Sequence, residues 1–320
     1  MDAKLARKIM EKQGYRFTGK HSVVKVCHYT KSSIKGKHSC YKNKFYGIQS
    51  HRCAQMSPQT FCSNLCDFCW RDIETSDSIT MKDGIDDPDL IIENTIKEQI
   101  DLLNGHGGNS SADIDKYLES KKIKHFAISA TGEPTLYPRL GELIRKLHDK
   151  GITSFLVSNG QFPEAIEKLE RENNLPTQIY ISLDAPTKEL YGKIDHPATK
   201  DYWERFLKTL NIIKRIRNKT RTVLRITAVK NLNMCNFEDY CKLILKAEPK
   251  FLEIKGYSWI GTSRIKLNED SVPSFNDIKE FSEKIANILN WNIVDEVEES
   301  RVCLLMKRDS KDRLIQIEEN

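Results

Sequence analysis

Three closely spaced cysteines form the clearest chemical motif of this chain. Cys62, Cys66 and Cys69 follow a C-x3-C-x2-C spacing. Iron–sulfur clusters are normally held by four cysteine thiolates, so three thiolates on a four-iron cluster leave one iron open for another ligand. A structural zinc ion needs four closed ligands, which His51 or Cys53 would have to complete. The motif therefore predicts a [4Fe-4S] cluster with an open iron, and structural zinc is the alternative.

A second set of three cysteines precedes this loop. Twelve residues separate Cys27 from Cys40, and twelve more separate Cys40 from Cys53. Their neighbours are polar and basic, unlike the apolar surroundings in which a buried structural cysteine acts as a small hydrophobe. We predict that these three cysteines are metal ligands. The remaining cysteines are predicted to be core residues: Cys235, Cys241 and Cys303.

The cysteine content and the hydropathy pattern indicate the compartment. Nine cysteines in 320 residues without a secretory signal point to a reducing environment, where such clusters bind metal more often than they form disulfides. The chain starts with charged residues, and no apolar run approaches the length of a membrane span. We expect a cytoplasmic monomer with no membrane partner.

Positive charge is concentrated in residues 1–60. This segment holds thirteen Lys and Arg against Asp2 and Glu11, whereas the net charge of the whole chain is +6. Basic groups that contact phosphate, beside aromatic rings that stack on unpaired bases, are typical of RNA-loop recognition. The pattern predicts a nucleic-acid partner, and a solvated basic face is the alternative. The aromatic residues interleaved with the charges are Tyr15, Phe17, Tyr29, Tyr41, Phe45 and Tyr46.

The rest of the chain alternates between strand-like and helix-like segments, which predicts an α/β fold with a parallel sheet. Where alternating strands and helices of this kind close into a barrel, the loops that follow the strands form the active site. The predicted strands, rich in β-branched residues, are 125–130, 154–158, 178–183, 222–227 and 251–255. The predicted helices are 89–103, 138–150, 163–173, 201–218 and 236–247.

Motifs at the ends of these strands, taken in order after the cysteine loop, resemble the radical S-adenosylmethionine (SAM) superfamily. The resemblance implies a partial (β/α)6 TIM-type barrel and a SAM molecule bound to the open iron. It also implies a division into a basic extension at 1–60, a barrel core at 61–265 and a C-terminal extension at 266–320. The residues implied to contact SAM are Phe68, Thr131, Gly132, Glu133, Ser158, Asn159, Ser182, Asp184 and Arg225.

Several longer segments, spread over about residues 15 to 270, are similar to one family within that superfamily. They include Lys37-His-Ser-Cys40-Tyr-Lys-Asn-Lys, His51-Arg-Cys53-Ala-Gln-Met-Ser-Pro and Glu253-Ile-Lys-Gly-Tyr-Ser-Trp-Ile-Gly. They resemble the 4-demethylwyosine synthase family, whose members act on N1-methylguanosine at position 37 of tRNA(Phe). The resemblance implies a second [4Fe-4S] cluster at the upstream cysteines, with pyruvate as the source of two carbons.

The same resemblance implies two further features. A lysine forms a Schiff base with the pyruvate ketone, and Lys42 matches it best, with a phosphate contact as the alternative role. Because this chain has no room for a flavodoxin-like domain, an external electron donor such as a flavodoxin or ferredoxin is implied. Two other functions stay open: a radical SAM enzyme with a small-molecule substrate and an auxiliary cluster, and a non-catalytic iron–sulfur RNA-binding protein.

Overall fold

The computed structural model describes residues 2–316. Its strands and helices are numbered below in chain order. The strands are β1 Arg16–Phe17, β2 Val23–Val24, β3 Cys53–Ser57, β4 His125–Ile128, β5 Thr153–Ser158, β6 Gln178–Ser182, β7 Arg221–Ala228, β8 Phe251–Gly256, β9 Asn292–Val297 and β10 Val302–Met306. The α-helices are α1 Ala3–Lys12, α2 His28–Ile34, α3 Tyr41–Tyr46, α4 Ile73–Ser76, α5 Pro88–Leu103, α6 Ile114–Glu119, α7 Leu140–Asp149, α8 Pro163–Arg171, α9 Lys188–Asp195, α10 Tyr202–Ile216, α11 Phe237–Ala247, α12 Ser263–Lys266 and α13 Phe275–Leu289.

Six consecutive strands, β3 to β8, pair in parallel and in sequence order. Helices follow each of them in the chain, so the predicted α/β fold with a partial (β/α)6 barrel is confirmed. The sheet is extended at both edges by antiparallel strands, β1 and β2 on one side and β10 and β9 on the other. Its strand order is β1-β2-β3-β4-β5-β6-β7-β8-β10-β9.

Because side chains alternate across a strand, the two faces of the sheet form separate cores. Residues of one face pack with the surrounding helices, among them Phe126, Leu156, Ile179, Leu224 and Leu252. The opposite face carries Phe155, Tyr180, Val223 and Phe251, which pack with α3. The short helix α3 therefore closes the inside of the barrel near the beginnings of the strands.

The predicted helices are present with small differences at their ends. The sequence Asp86-Asp87-Pro88 predicts a helix start, and the structure confirms it: the Asp87 side chain accepts a hydrogen bond from the Asp89 amide, and Pro88 opens α5. The chain after α5 begins with a single 3-10 turn, Asn104–His106. Within residues 2–316, no helix is long and apolar enough to cross a bilayer.

The sheet continues through the expected domain boundaries. Strand β3, the first parallel strand, lies inside segment 1–60 and pairs with β4. At the other end, β10 of segment 266–320 pairs with β8. The two extensions therefore share one sheet with the barrel strands, and the division at residue 60 falls just after a barrel strand.

Candidate active site

The cysteine loop Cys62–Cys69 follows the carboxyl end of β3 and is held against α9. The amides of Leu65 and Asp67 donate to the carbonyl groups of Asp195 and Ile194, at 3.0 and 2.9 Å. The three thiols are free, partly buried and close enough to influence one another electrostatically. Cys62, Cys66 and Cys69 therefore lie in one region, and their role as cluster ligands stays a prediction.

Burial raises the pKa of two of these thiols, Cys62 and Cys66. It raises the pKa of Cys62 to about 12, and the nearby carboxylate of Glu133 adds to this effect. Burial also raises the pKa of Cys66, and here the second cause is Asp195, whose Oδ1 accepts a hydrogen bond from the Cys66 thiol at 2.9 Å. A bound metal centre would favour the thiolate forms of Cys62 and Cys66, and an all-thiol donor set fits an iron–sulfur cluster.

The zinc alternative lacks its expected fourth ligand. The Nε2 atom of His51 is paired with a carboxylate oxygen of Glu119 at 2.6 Å. Cys53 lies with Cys27 and Cys40 in the other set of cysteines. Within residues 2–316, no three His, Cys, Asp or Glu side chains are placed closely enough to hold a single metal ion, and this includes both sets of cysteines.

The turn after β4 is tightly packed against the chain that leads into the cysteine loop. Gly132 has φ +65°, and a Cβ atom there would lie 2.6 Å from the carbonyl groups of Thr60 and Phe61, so only glycine fits. The Glu133 carboxylate accepts hydrogen bonds from the amides of Thr135 and Asn159, at 3.1 and 2.8 Å. These bonds join the ends of β4 and β5 beside Cys62.

Thr131 is held in the turn by its backbone groups. Its amide donates to the Ser57 hydroxyl at 2.8 Å, and its carbonyl accepts from the same hydroxyl at 2.6 Å. The residue is fully buried. Both backbone groups therefore bond within the protein and anchor the turn, and the SAM contact of Thr131 stays a prediction.

The ends of β5 and β6 supply the remaining predicted polar groups. The Asn159 side chain donates to the Ser63 hydroxyl in the cysteine loop at 2.9 Å, and Ser158 accepts from the Gly160 amide at 3.0 Å. Burial raises the pKa of Asp184 to about 7, opposed by hydrogen bonds from Thr227 and Ser182. Phe68 is partly buried and packs on the main core. The SAM contacts of these residues stay a prediction.

The second set of cysteines lies deeper in the barrel. Cys53 begins β3, whereas Cys27 and Cys40 immediately precede α2 and α3. Burial raises the pKa of Cys40 to about 11 and that of Cys53 to about 12, and in both cases Cys27 is among the charges that act on the thiol. The three residues therefore lie in one region of the barrel, and their role as metal ligands stays a prediction.

Lys42 projects from α3 into the barrel, beside this second set. Its Nζ lies 4.5 Å from the ring centre of Tyr180 and 5.7 Å from that of Phe155. Burial lowers the pKa of Lys42, and the neighbouring guanidinium of Arg225 lowers it further. Cys40 and Cys53 are among the groups that act on it electrostatically. A lysine in this environment is a better nucleophile than a solvated one.

Arg225 belongs to the same region. Its Nε and Nη2 contact the Glu253 carboxylate at 2.9 and 2.8 Å, and Nη2 also donates to the Tyr41 hydroxyl at 2.6 Å. Glu253 is fully buried and accepts from Tyr41 and Tyr46. Although burial alone would lower the pKa of Arg225, Glu253 raises it overall. These contacts place Arg225 nearer to Lys42 than its predicted SAM role suggested.

Several aromatic residues of the basic segment have a different role from the one predicted. Tyr15, Tyr41, Phe45 and Tyr46 are buried in apolar clusters. They are therefore core residues and do not present rings to an RNA. Of the three cysteines predicted to lie in the core, Cys241 and Cys303 are buried and Cys235 is partly exposed.

A loop that the sequence did not single out holds the cysteine loop from the other side. Thr262 donates through its hydroxyl to the carbonyl groups of Cys69 and Arg71, at 3.2 and 2.6 Å. Lys266 donates to the Leu65 carbonyl at 2.7 Å. Asp195 was missed as well, because 129 residues separate it from the Cys66 thiol that it contacts and no motif marks it.

The barrel, the loop with three cysteines and the polar side chains at the strand ends together define a radical SAM enzyme. In agreement, the family model for the radical SAM superfamily matches residues 56–244, and the model for wyosine base formation matches residues 246–307. The chain belongs to the tRNA 4-demethylwyosine synthase family, the enzymes of tRNA wyosine-base synthesis, as the following relatives show.

The S-adenosyl-L-methionine-dependent tRNA 4-demethylwyosine synthase of Pyrococcus abyssi is 45% identical over 94% of this chain and 88% of its own length. The human relative of the same name is 36% identical over 95% of this chain, which spans 41% of that protein. A solved structure of TYW1 with a lysine-pyruvate adduct bound has a TM-score of 0.82 and 33% identity over 97% of this chain and 96% of its own. Archaeal TYW1 has a TM-score of 0.78 at 30% identity, over 98% of this chain and 100% of its own.

Proposed function

We propose that this enzyme condenses N1-methylguanosine at position 37 of tRNA(Phe) with two carbons of pyruvate to form 4-demethylwyosine. The observation that carries the proposal is the position of Lys42, inside the barrel and beside Cys40 and Cys53. Its Nζ lies over the Tyr180 ring at 4.5 Å. The solved relative that contains a lysine-pyruvate adduct supports this assignment.

Two [4Fe-4S] clusters and SAM are the implied cofactors, and when bound they supply the radical chemistry. Cys62, Cys66 and Cys69 would hold the cluster that binds SAM. Cys27, Cys40 and Cys53 would hold the second cluster. The residues proposed to bind SAM are Phe68, Gly132, Glu133, Ser158, Asn159, Ser182 and Asp184.

Lys42 would hold the pyruvate ketone as an imine. Burial and the Arg225 guanidinium lower the pKa of Lys42, which increases the fraction of neutral amine. A basic surface formed by segment 1–60 would bind the tRNA anticodon loop. An external electron donor such as a flavodoxin or ferredoxin would reduce the cluster, and we propose that the enzyme acts as a cytoplasmic monomer.

Mass analysis of tRNA nucleosides tests this function. Reconstituted enzyme is incubated anaerobically with SAM, a reductant and tRNA that carries N1-methylguanosine, with and without pyruvate. We expect the tricyclic nucleoside only when pyruvate is present. SAM cleavage without a change in the tRNA would instead support a small-molecule substrate. Failure to cleave SAM would support a non-catalytic RNA-binding protein.

A further inference from the structure

A half-buried lysine beside the cysteine loop lacks an anionic partner. Lys25 directly follows β2, and its amide donates to the Gln55 carbonyl of β3 at 2.9 Å. Its Nζ lies 4.4 Å from the ring centre of Tyr15 and 4.9 Å from that of Trp70. Within residues 2–316, no carboxylate and no hydrogen-bond acceptor contacts this ammonium group. An ammonium group has three hydrogens to donate, so all three remain for a ligand.

Arg71 is a second cation at the same indole ring. Its Cζ lies 5.1 Å from the ring centre of Trp70. Its Nε and Nη2 donate to the carbonyl groups of Ala130 and Ser129, just after β4, at 2.8 and 2.5 Å. These acceptors are neutral, and the carboxylate of the next residue, Asp72, caps α4 instead. Among the described residues, Arg71 therefore has no carboxylate partner, and its Nη1 has no acceptor.

Two cations at one ring without a carboxylate partner indicate that an anion binds between them. Aromatic contacts return only part of the hydration that a half-buried ammonium group loses. The charges that act on Lys25 are those of Arg71 and Lys31, which repel it. A bound anion would accept hydrogen bonds from Lys25 and from the Nη1 of Arg71, and such charge-assisted bonds are the strong ones.

The position of this pair indicates the backbone of an RNA loop. Lys31 is exposed on α2 and acts electrostatically on Lys25, so positive charge continues from the outer surface to the cysteine loop. Trp70, the ring that both cations share, directly follows Cys69. A base that reaches the proposed cluster brings its phosphodiester groups with it. Lys and Arg are the side chains that most often bind such groups.

We infer that Lys25 and Arg71 bind a phosphodiester group next to the target nucleotide of the tRNA anticodon loop. This inference rests on the proposed function and extends the tRNA contact from the exposed surface to the cysteine loop. A phosphate contact carries no sequence information. The pair therefore positions the backbone at a fixed distance from Cys69 and leaves the choice of base to other residues.

The test combines a change in the protein with the neutralisation of single phosphates in the RNA. Lys25→Met keeps most of the length of the side chain and removes its charge, whereas Lys25→Arg keeps the charge. Lys44→Met is the matched control, because Lys44 pairs with Asp295 at 2.8 Å. The RNA is an anticodon stem-loop with N1-methylguanosine, in which uncharged methylphosphonate linkages replace the loop phosphates one at a time. Its binding to reconstituted enzyme is measured over a series of salt concentrations.

For the wild type, we expect one methylphosphonate position to weaken binding about tenfold, in line with the loss of a charge-assisted bond. Lys25→Met should bind the unmodified RNA about tenfold more weakly, with a salt slope less steep by about one. Neutralisation of the sensitive position should then weaken binding by this variant no more than about threefold, because the two changes remove the same contact. Lys25→Arg and Lys44→Met should resemble the wild type.

Three results would overturn the inference. If each methylphosphonate has the same effect on Lys25→Met as on the wild type, Lys25 contacts no phosphate. If Lys25→Arg binds as weakly as Lys25→Met although both retain their iron, the charge is not what binds the RNA. Unchanged RNA affinity, combined with slower SAM cleavage in the absence of RNA or a higher half-saturating SAM concentration, would show that Lys25 serves the cluster or SAM.

The two proposals fail in different ways. If the wild type does not bind the stem-loop, the proposed tRNA substrate is wrong, and the phosphate contact is wrong with it. If the wild type binds the stem-loop and forms the tricyclic nucleoside, but Lys25→Met binds the RNA equally well, the phosphate contact alone is wrong.

Discussion

The position of Lys42 separates its chemistry from RNA binding. The residue lies inside the barrel, over Tyr180 and Phe155, so its ammonium group is turned away from the exposed basic surface. Lys44, the second lysine of α3, instead pairs with Asp295 at 2.8 Å and donates to the Glu296 carbonyl. The phosphate contact considered for Lys42 is therefore not favoured by its surroundings.

The substitution Lys42→Arg tests this assignment at the scale of one residue. An arginine retains the charge but cannot form an imine. We expect intact clusters, near-normal tRNA affinity and at least a hundredfold less tricyclic nucleoside. The checks are iron content, tRNA binding and nucleoside mass analysis. Substantial product from this variant would exclude an essential imine at Lys42.

At the scale of elements, the segment Tyr257–Leu267 acts as a clamp on the cysteine loop. Gly261 makes this contact possible, since it has φ +62° and a Cβ atom there would collide with the Trp70 carbonyl. Thr262 and Lys266 then bond to the loop's carbonyl groups. The clamp belongs to the region matched by the wyosine-base model, so the family-specific region positions the loop common to the superfamily.

Replacement of Gly261 by Ala should loosen this clamp. The strained backbone and the collision with Trp70 together cost about 1–3 kcal/mol, and the cysteine loop must shift to relieve them. We expect at least a tenfold loss of SAM cleavage. Gly105→Ala is the matched control, because no atom lies within 4 Å of a Cβ built there. Wild-type SAM cleavage by Gly261→Ala would show that the clamp has no effect on the cluster loop.

The exposed face of α2 and the turn that follows it are the part of the basic segment that fits RNA binding. Lys31 and Lys37 are exposed and Lys35 is partly exposed, whereas Lys42 and Lys44 are occupied elsewhere. Replacing Lys31, Lys35 and Lys37 by Gln should weaken tRNA binding. It should also make the slope of log binding constant against log salt concentration less steep by about two to three. Lys44→Gln should change neither quantity.

Binding measured over a series of salt concentrations checks this prediction. SAM cleavage by the triple variant in the absence of tRNA should match that of the wild type, which shows that the site is intact. An unchanged salt dependence would identify the turn as a solvated basic face. Recognition would then be sought on other exposed basic residues.

At the scale of the whole molecule, one barrel holds both sets of cysteines at different depths. Cys53 begins β3, and the loop with Cys62 follows the end of the same strand. The two predicted clusters therefore share the barrel interior but use separate ligands and separate neighbours. Asp195 and Glu133 adjoin one set, whereas Lys42 adjoins the other.

Because the two proposed clusters have separate ligands, we expect that each can be removed without the other. Changing Cys62, Cys66 and Cys69 to Ala should leave about half of roughly eight irons and abolish SAM cleavage. Changing Cys27, Cys40 and Cys53 to Ala should also leave about half of the iron, but SAM cleavage should persist while the tricyclic product is lost. Iron analysis and methionine release provide the readouts. Loss of all iron from either variant would contradict independent sites.

The sequence by itself determined the donor residues and the order of the elements. Cys62, Cys66 and Cys69 lie within one short loop, so the motif can be recognised from the sequence alone. The alternation of strands and helices is also local, because side chains repeat every two residues in a strand and every 3.6 in a helix. The start of α5 could be read from Asp87 and Pro88 for the same reason.

Only the tertiary structure decided which distant residues meet. Tyr41 and Glu253 bond across 212 residues of sequence, and Cys66 and Asp195 across 129. These contacts depend on which strands are neighbours and which face turns inward, and no local pattern specifies either. The folding of the sheet into a barrel buries Tyr41, Phe45 and Tyr46, which the sequence had suggested as RNA-stacking residues. It also places Arg225 beside Lys42. Their roles follow from the enclosed low-dielectric interior that the folded sheet creates.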